Sequence, residues 1–272
     1  MAYENLSDGA LDYLPCRYGK SKLLFRGPRR KTDGDYVAVI GGTETYGKFI
    51  EQPFSNLLEE ALDVPAVNFG CVNAGADVFL NEPTILEACS KARVTVVQVM
   101  GAQNMSNRFY AVHPRRNDRF LKASVLMKTV FREIDFTEFH FTRHMLSTIK
   151  AMSEERFQLV ETELKEAWKA RMQNLLERIE GKTVVLWLDD SNRDGSLDLG
   201  QDPLFVDQSM IEAIRPYCTE VVEVSLSEEA KREGTEGMIF PDLEEPIAHE
   251  MMGLRAHQEV AECLAKTLRG ML

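Results

Sequence analysis

Short apolar runs closed by glycine alternate with amphipathic stretches in the first part of the chain. The runs 36–40 and 94–100 are rich in β-branched residues and end at Gly41-Gly42 and Gly101; the run 65–69 ends at Gly70. Each reads as a strand stopped by a turn glycine. Between them, residues 46–62 and 84–92 carry apolar positions at helical spacing, and Pro53 is placed to interrupt or kink the first. Runs 183–188 and 219–224 predict two further strands, the first stopping at Asp189-Asp190. Residues 257–272 predict a last helix with Val260, Ala261, Leu264 and Leu268 on one face. Apolar strands separated by helices predict parallel βαβ units in a sheet covered on both faces. The expected fold class is α/β: a flavodoxin-like three-layer sandwich with a mainly parallel five-stranded sheet of order 2-1-3-4-5. Residues 1–272 read as one α/β domain, with 1–35 as a lead-in.

Residues 102–182, between the third and fourth strands, are too long for a plain crossover. Over 153–180, Phe157, Val160, Leu164, Trp168, Met172, Leu175 and Ile179 recur at steps of three and four. Ser153 suits the N-cap, Glu154 and Glu155 the first turn, and Gly181 the C′ position. The segment is expected to be a mostly helical insertion, acting as a lid or a subunit contact. Its apolar stripe is read first as packing on the domain.

Composition narrows the setting. Hydrophobic residues make up 44% of the chain, enough for a real core, and the net charge is −11. That balance argues against a general nucleic-acid or anionic-membrane partner. There is no continuous apolar stretch of membrane-spanning length. Residues 1–14 carry Glu4, Asp8 and Asp12 and lack a basic-then-apolar leader pattern. The five cysteines are dispersed, with no Cys-x-x-Cys pair, which reads as reduced thiols in the cytoplasm. Without Gly-x-Gly-x-x-Gly there is no dinucleotide fingerprint, and no cofactor is expected. A homo-oligomer is compatible with the long helix.

In an open parallel sheet, ligands bind beyond the carboxyl ends of the strands where strand order reverses. For the order above, that point lies between strands one and three. The loops there begin Gly41-Gly-Thr-Glu-Thr-Tyr-Gly47 and Gly101-Ala-Gln-Asn-Met-Ser-Asn107. Their hydroxyls, amides and glycines suit hydrogen bonds to a developing oxyanion, although Gly and Asn also serve ordinary turns.

These blocks resemble those of the SGNH (GDSL-type) hydrolase superfamily, flavodoxin-like enzymes that cleave esters of lipids and acylated sugars. Gly41-Gly42-Thr43 stands where that family has Gly-Asp-Ser; Val67-Asn68-Phe69-Gly70 resembles its oxyanion-glycine block. Gly101-Ala102-Gln103-Asn104 resembles its Gly-x-Asn-Asp block. Ala256-His257 resembles the start of its last helix, with His249 as the other histidine near the catalytic position. The chain also resembles bacterial proteins of a family without assigned function, which implies no chemistry. The resemblance covers the sheet and its helices and leaves residues 102–182 without a counterpart.

It implies Thr43 as nucleophile or water-positioning group, His257 or His249 as base and Asp242 as the acid behind it. Substrate-binding and oxyanion groups would be Gly42, Glu44, Thr45, Gly70, Gln103, Asn104 and Asn107. The set is degenerate. Threonine replaces serine and its methyl crowds attack, Gly42 replaces aspartate, and no Asp stands three residues before either histidine.

The insertion adds chemistry of its own. Arg108, Arg115, Arg116 and Arg119 could form a bidentate anion site, with Arg115 and Arg116 holding a substrate's negative end; the bland reading is a solvated charged loop. His140 and His144 are spaced for one helical face, with His113 or Glu138 nearby, but a structural histidine pair is favoured and no metal is expected. Gly19-Lys20-Ser21 looks like the end of a phosphate loop but precedes the first strand. The leading expectation is therefore an SGNH-like hydrolase or acyltransferase acting on an ester of a small anionic metabolite or sugar. A non-catalytic small-molecule (anion) binding protein is the first alternative, and sulfotransferase-like group transfer the second.

Overall fold

Five parallel strands form one sheet in the computed structural model, which describes residues 9–189 and 199–272. Asp190, and Glu4 and Asp8 of the lead-in, lie outside the described residues. The chain runs β1 (Val37–Ile40), α1 (Thr43–Tyr46), α2 (Phe54–Leu62), β2 (Ala66–Asn68), α3 (Ala76–Leu80), α4 (Pro83–Lys91) and β3 (Val94–Gln98). A hairpin, β4 (Tyr110–His113) and β5 (Arg116–Ala123), precedes α5 (Val125–Val130), α6 (Thr142–Met152) and α7 (Glu154–Arg178). Then come β6 (Thr183–Asp189), α8 (Gln208–Ile214), β7 (Glu220–Ser225), α9 (Glu228–Arg232), α10 (Glu245–Ala248) and α11 (Leu254–Leu268). The sheet order is β2-β1-β3-β6-β7, with every neighbouring pair parallel. Taken by sheet strands alone, this is the predicted order.

Alternation along the strands divides the interior. Val37, Val39, Val94, Val96, Val184 and Leu186 face one side, where Phe54, Leu58, Val260 and Leu264 of α2 and α11 cover them. Ala38, Ile40, Val97 and Val185 face the other, under Ile85 and Cys89 of α4, the α7 stripe and Ile211 of α8. Successive side chains of a strand point to opposite faces, so wholly apolar strands require cover on both.

Of the predicted helix 46–62 only α2, Phe54–Leu62, forms; α1 ends at Tyr46 and residues 47–53 are not helical. Pro53 stands at the N-cap of α2, where its missing N–H costs nothing. The last helix begins earlier than predicted, at Leu254 after Gly253. The expected mostly helical insertion carries the antiparallel β4–β5 hairpin in its first half. The signal was weak because the outward positions of β5 hold Arg116, Leu121 and Lys122, which blur the alternation.

α7 follows its predicted pattern. Ser153 Oγ accepts the Arg156 N–H at 3.3 Å, and Phe157, Val160, Leu164, Trp168, Met172 and Leu175 are buried. Trp168 Nε1 donates to Met100 O at 2.6 Å, tying the helix to the end of β3. The stripe is thus buried within this chain, so Trp168 is not a surface waiting for a partner. Among the described residues no helix is long and apolar enough to cross a membrane.

Candidate functional site

A cavity of about 1020 Å³ opens beyond the carboxyl ends of β1, β3, β6 and β7. The start of α6 and the segment that follows α10 complete its wall. Its position is the one an open parallel sheet provides for ligands.

The floor is built by side chains that hold the loop after β1. Gln98, the last residue of β3, is buried beside it. Its Oε1 accepts the Gly42 N–H at 3.0 Å, the Thr45 N–H at 3.1 Å and the Thr45 hydroxyl at 2.5 Å. Its Nε2 donates to Glu44 Oε2 at 2.7 Å. A Cβ on Gly41 would stand 2.2 Å from Thr45 Oγ1 and 2.4 Å from Gln98 Oε1, so only glycine leaves room for this clamp.

Thr43 is held from the next loop. Its Oγ1 accepts the Asn73 N–H at 3.0 Å and its hydroxyl faces Asn73 Oδ1 at 3.3 Å. Asn73 has a left-handed backbone, φ 55°, which asparagine tolerates better than most residues. Asn104 Nδ2 donates to Asn73 O at 3.0 Å, and the Thr142 hydroxyl donates to Asn104 Oδ1 at 2.9 Å. Asn73 Nδ2 reaches Asp118 Oδ2 on β5 at 3.5 Å. One chain of hydrogen bonds thus joins the loops after β1, β2 and β3 to α6 and the hairpin.

Gly42, Thr43, Glu44, Gln103, Asn104 and His249 line the cavity as the sequence suggests. Thr45 lies beneath them, fully buried. The other predicted residues fall elsewhere. Gly70 is packed so that a Cβ would stand 2.3 Å from Tyr46 N, and its N–H donates to Asn68 Oδ1 at 2.8 Å. That donor is committed and does not serve an oxyanion. Asn107 shapes its own turn, its Oδ1 accepting the Phe109 and Tyr110 N–H groups. Arg115 and Arg116 are exposed at the β4–β5 turn and do not line the cavity. Of their neighbours, Arg108 pairs with Glu163 of α7 and Arg119 lies 4.1 Å over the Phe141 ring. The arginine run is therefore divided among separate structural tasks, not gathered into one anion site.

His257 is 1% exposed and its Nδ1 accepts the Phe54 N–H at 3.0 Å. It satisfies the first backbone donor of α2 and stacks on the Phe54 ring. It does not line the cavity. His249 does, as an exposed side chain with Nε2 3.9 Å from Glu245 Oε1. Asp242 is exposed in a turn outside the cavity wall, so the acid behind His249 is Glu245. Both hydrogen bonds of Thr43 Oγ1 go to Asn73; among the described residues no imidazole bonds to it.

His140 precedes α6 and is exposed, whereas His144 lies within α6 with its ring edge-on to Phe139. His113 Nδ1 accepts the Arg115 N–H at 3.2 Å. Among the described residues no three His, Cys, Asp or Glu side chains converge as a metal site. Ser21 Oγ accepts the Leu23 N–H, and Gly19, Lys20 and Ser21 are absent from the cavity wall.

Gln98, Asn73, Phe141, Thr142, Arg143 and His144 are cavity residues that motif reading did not assign to the site. Gln98 had a signal: it is an amide inside an apolar strand and needs partners when buried. Arg143 and Asp202 form an ion pair with both carboxylate oxygens, at 2.9 and 3.1 Å. Lys231 pairs with Glu228 at 3.2 Å. Glu44 and Asp118 also line the cavity, and no Lys, Arg or His among the described residues forms an ion pair with either. Gln103 Oε1 is buried without a donor.

Residues 1–272 match the family described as Domain of unknown function (DUF6473), and the chain belongs to that family. No curated protein matches it.

Proposed function

We infer that the cavity is the binding site of a small polar molecule, on a sheet laid out in the flavodoxin manner and resembling that of SGNH hydrolases. The observation that carries this reading is the state of Thr43. Its oxygen accepts from one atom of Asn73 and its hydroxyl faces another. A nucleophilic hydroxyl needs a base within hydrogen-bond reach, and an asparagine amide is not a base. Thr43 and Asn104 are therefore fixed polar groups that orient a ligand. The reading is tested by screening small metabolites against the full chain by thermal shift and comparing hits with Thr43→Val and Asn104→Ala. Hits weakened in both variants are expected; hits indifferent to both would remove the cavity from consideration.

Hydrolase or acyltransferase chemistry is the second reading, because His249 shares the cavity with Thr43 and has Glu245 behind it. Closure of the segment after α10 would have to carry the imidazole to the hydroxyl. Turnover of short-chain chromogenic esters that is lost in both Thr43→Val and His249→Gln would favour it. Turnover unchanged in both variants would sink it. Sulfotransferase-like transfer rested on Gly19-Lys20-Ser21, and nothing at the cavity supports it.

A further inference from the structure

We propose that this cavity receives a cationic amine at the wall lined by Glu44 and Asp118. The proposal rests on the reading of the cavity as a ligand site and names the ligand's charge.

The argument starts from what the wall offers. The cavity's arginine, Arg143, is neutralised by Asp202, and Lys231 is bonded to Glu228. The arginines of the hairpin turn stay outside. On the floor, Glu44 receives one hydrogen bond, from Gln98 Nε2 on its Oε2. Asp118 receives one long contact, from Asn73 Nδ2. Both carboxylates line the cavity with Thr43, Glu44 next to it in sequence and Asp118 reached through Asn73, and among the described residues neither forms an ion pair with a Lys, Arg or His. Each nearby amide gives one N–H to the protein: Gln98 Nε2 to Glu44, Asn73 Nδ2 to Asp118 and Asn104 Nδ2 to Asn73 O.

A second, independent observation comes from Gln103. This side chain is 8% exposed, lines the cavity, and has an Oε1 with no donor. Buried polar groups are nearly always hydrogen-bonded, and an acceptor without a partner marks a place where a donor arrives. Two carboxylates and an orphan acceptor present the same demand. An ammonium group carries three donors and the compensating charge. A neutral hydroxyl supplies a donor but leaves the carboxylates uncompensated. An anion meets two negative groups that no Lys, Arg or His among the described residues neutralises, and is repelled.

The experiment titrates three probes of one size into the full chain: ethanolamine, ethylene glycol and glycolate. Binding is read from the side-chain amide signals of Asn73, Gln103 and Asn104 in nitrogen-15 NMR spectra. Ethanolamine should bind about tenfold tighter than ethylene glycol, and glycolate weakest of the three. Glu44→Gln and Asp118→Asn should each weaken ethanolamine about tenfold and leave ethylene glycol within about twofold. The two substitutions lie on different elements, so misfolding of one, seen in the spectrum itself, leaves the other to decide. Glycolate binding tightest, or both variants leaving ethanolamine unchanged, overturns the amine while keeping the cavity as a ligand site. If no probe moves these signals at any concentration, the ligand-site reading falls and the amine with it.

Discussion

Gln98 and Thr45 meet twice at one oxygen: Gln98 Oε1 accepts both the Thr45 N–H at 3.1 Å and the Thr45 hydroxyl at 2.5 Å. The same oxygen takes the Gly42 N–H. A single buried amide on β3 therefore fixes the turn that carries Thr43.

Removing that amide should be costly. Gln98→Ala leaves three buried donors without an acceptor, each worth about 1–3 kcal/mol when orphaned. A total loss of roughly 3 kcal/mol or more is expected in urea unfolding, allowing for relaxation. Thr45→Val, which removes one of the three donors, should cost about 1 kcal/mol. Equal effects of the two would mean that the clamp is not what holds the turn.

His257→Phe separates a structural role from a catalytic one. The ring volume is kept, but the acceptor for the Phe54 N–H is lost. A destabilisation of about 1–3 kcal/mol with ligand binding intact is expected. Unaltered stability together with abolished ester turnover would restore His257 as a base.

Asp207 supplies a pH-dependent contribution. Its carboxylate accepts the Ser209 hydroxyl, the Lys165 ammonium and the Met210 N–H at the start of α8. These partners, the Ser209 hydroxyl foremost, hold its pKa below the usual 3.8. A carboxyl whose pKa is lower in the folded state contributes stability above its unfolded value and loses it as pH falls through the folded one. Asp207→Ala should therefore cost about 1 kcal/mol at neutral pH, and the difference should shrink as pH drops below the ordinary aspartate range. A penalty that is constant from neutral to strongly acid pH would contradict this.

The hairpin arginines should be dispensable for binding. Arg115 and Arg116 are exposed at the β4–β5 turn, and surface charges so placed contribute little. The double substitution to alanine should leave cavity ligands within about twofold in a titration. A strong loss would show that the turn folds over the cavity when it is occupied.

The sheet was legible because its strands are apolar without interruption, and the crevice followed from strand order alone. Thr43, Glu44, Gln103 and Asn104 could be placed there from their positions after β1 and β3. The histidines could not be assigned in the same way. His257 opens a helix in the resemblance and lies in the first turn of α11 in the structure, but whether an imidazole faces a crevice or a neighbouring helix depends on the packing of α2 against α11. Phe54 is far from His257 in sequence and carries no pattern that announces the contact. The arginine run misled for a related reason. Arg108 and Arg119 find partners in Glu163 and Phe141, which only the folded insertion brings near. Asn73 lay unmarked in a loop, and its role comes from a left-handed backbone that turns its N–H toward Thr43.

The chain of bonds from Thr43 to Thr142 has a consequence for the order in which the molecule assembles. Its links span 30, 31 and 38 positions along the sequence. Contacts so distant form only after the intervening loops have closed, and their entropy cost is met before any of them stabilises the chain. The crevice is accordingly expected to complete only once β1, β2 and β3 have docked. A ligand of this site should therefore report, by the time its binding signal appears during refolding, when that docking is complete.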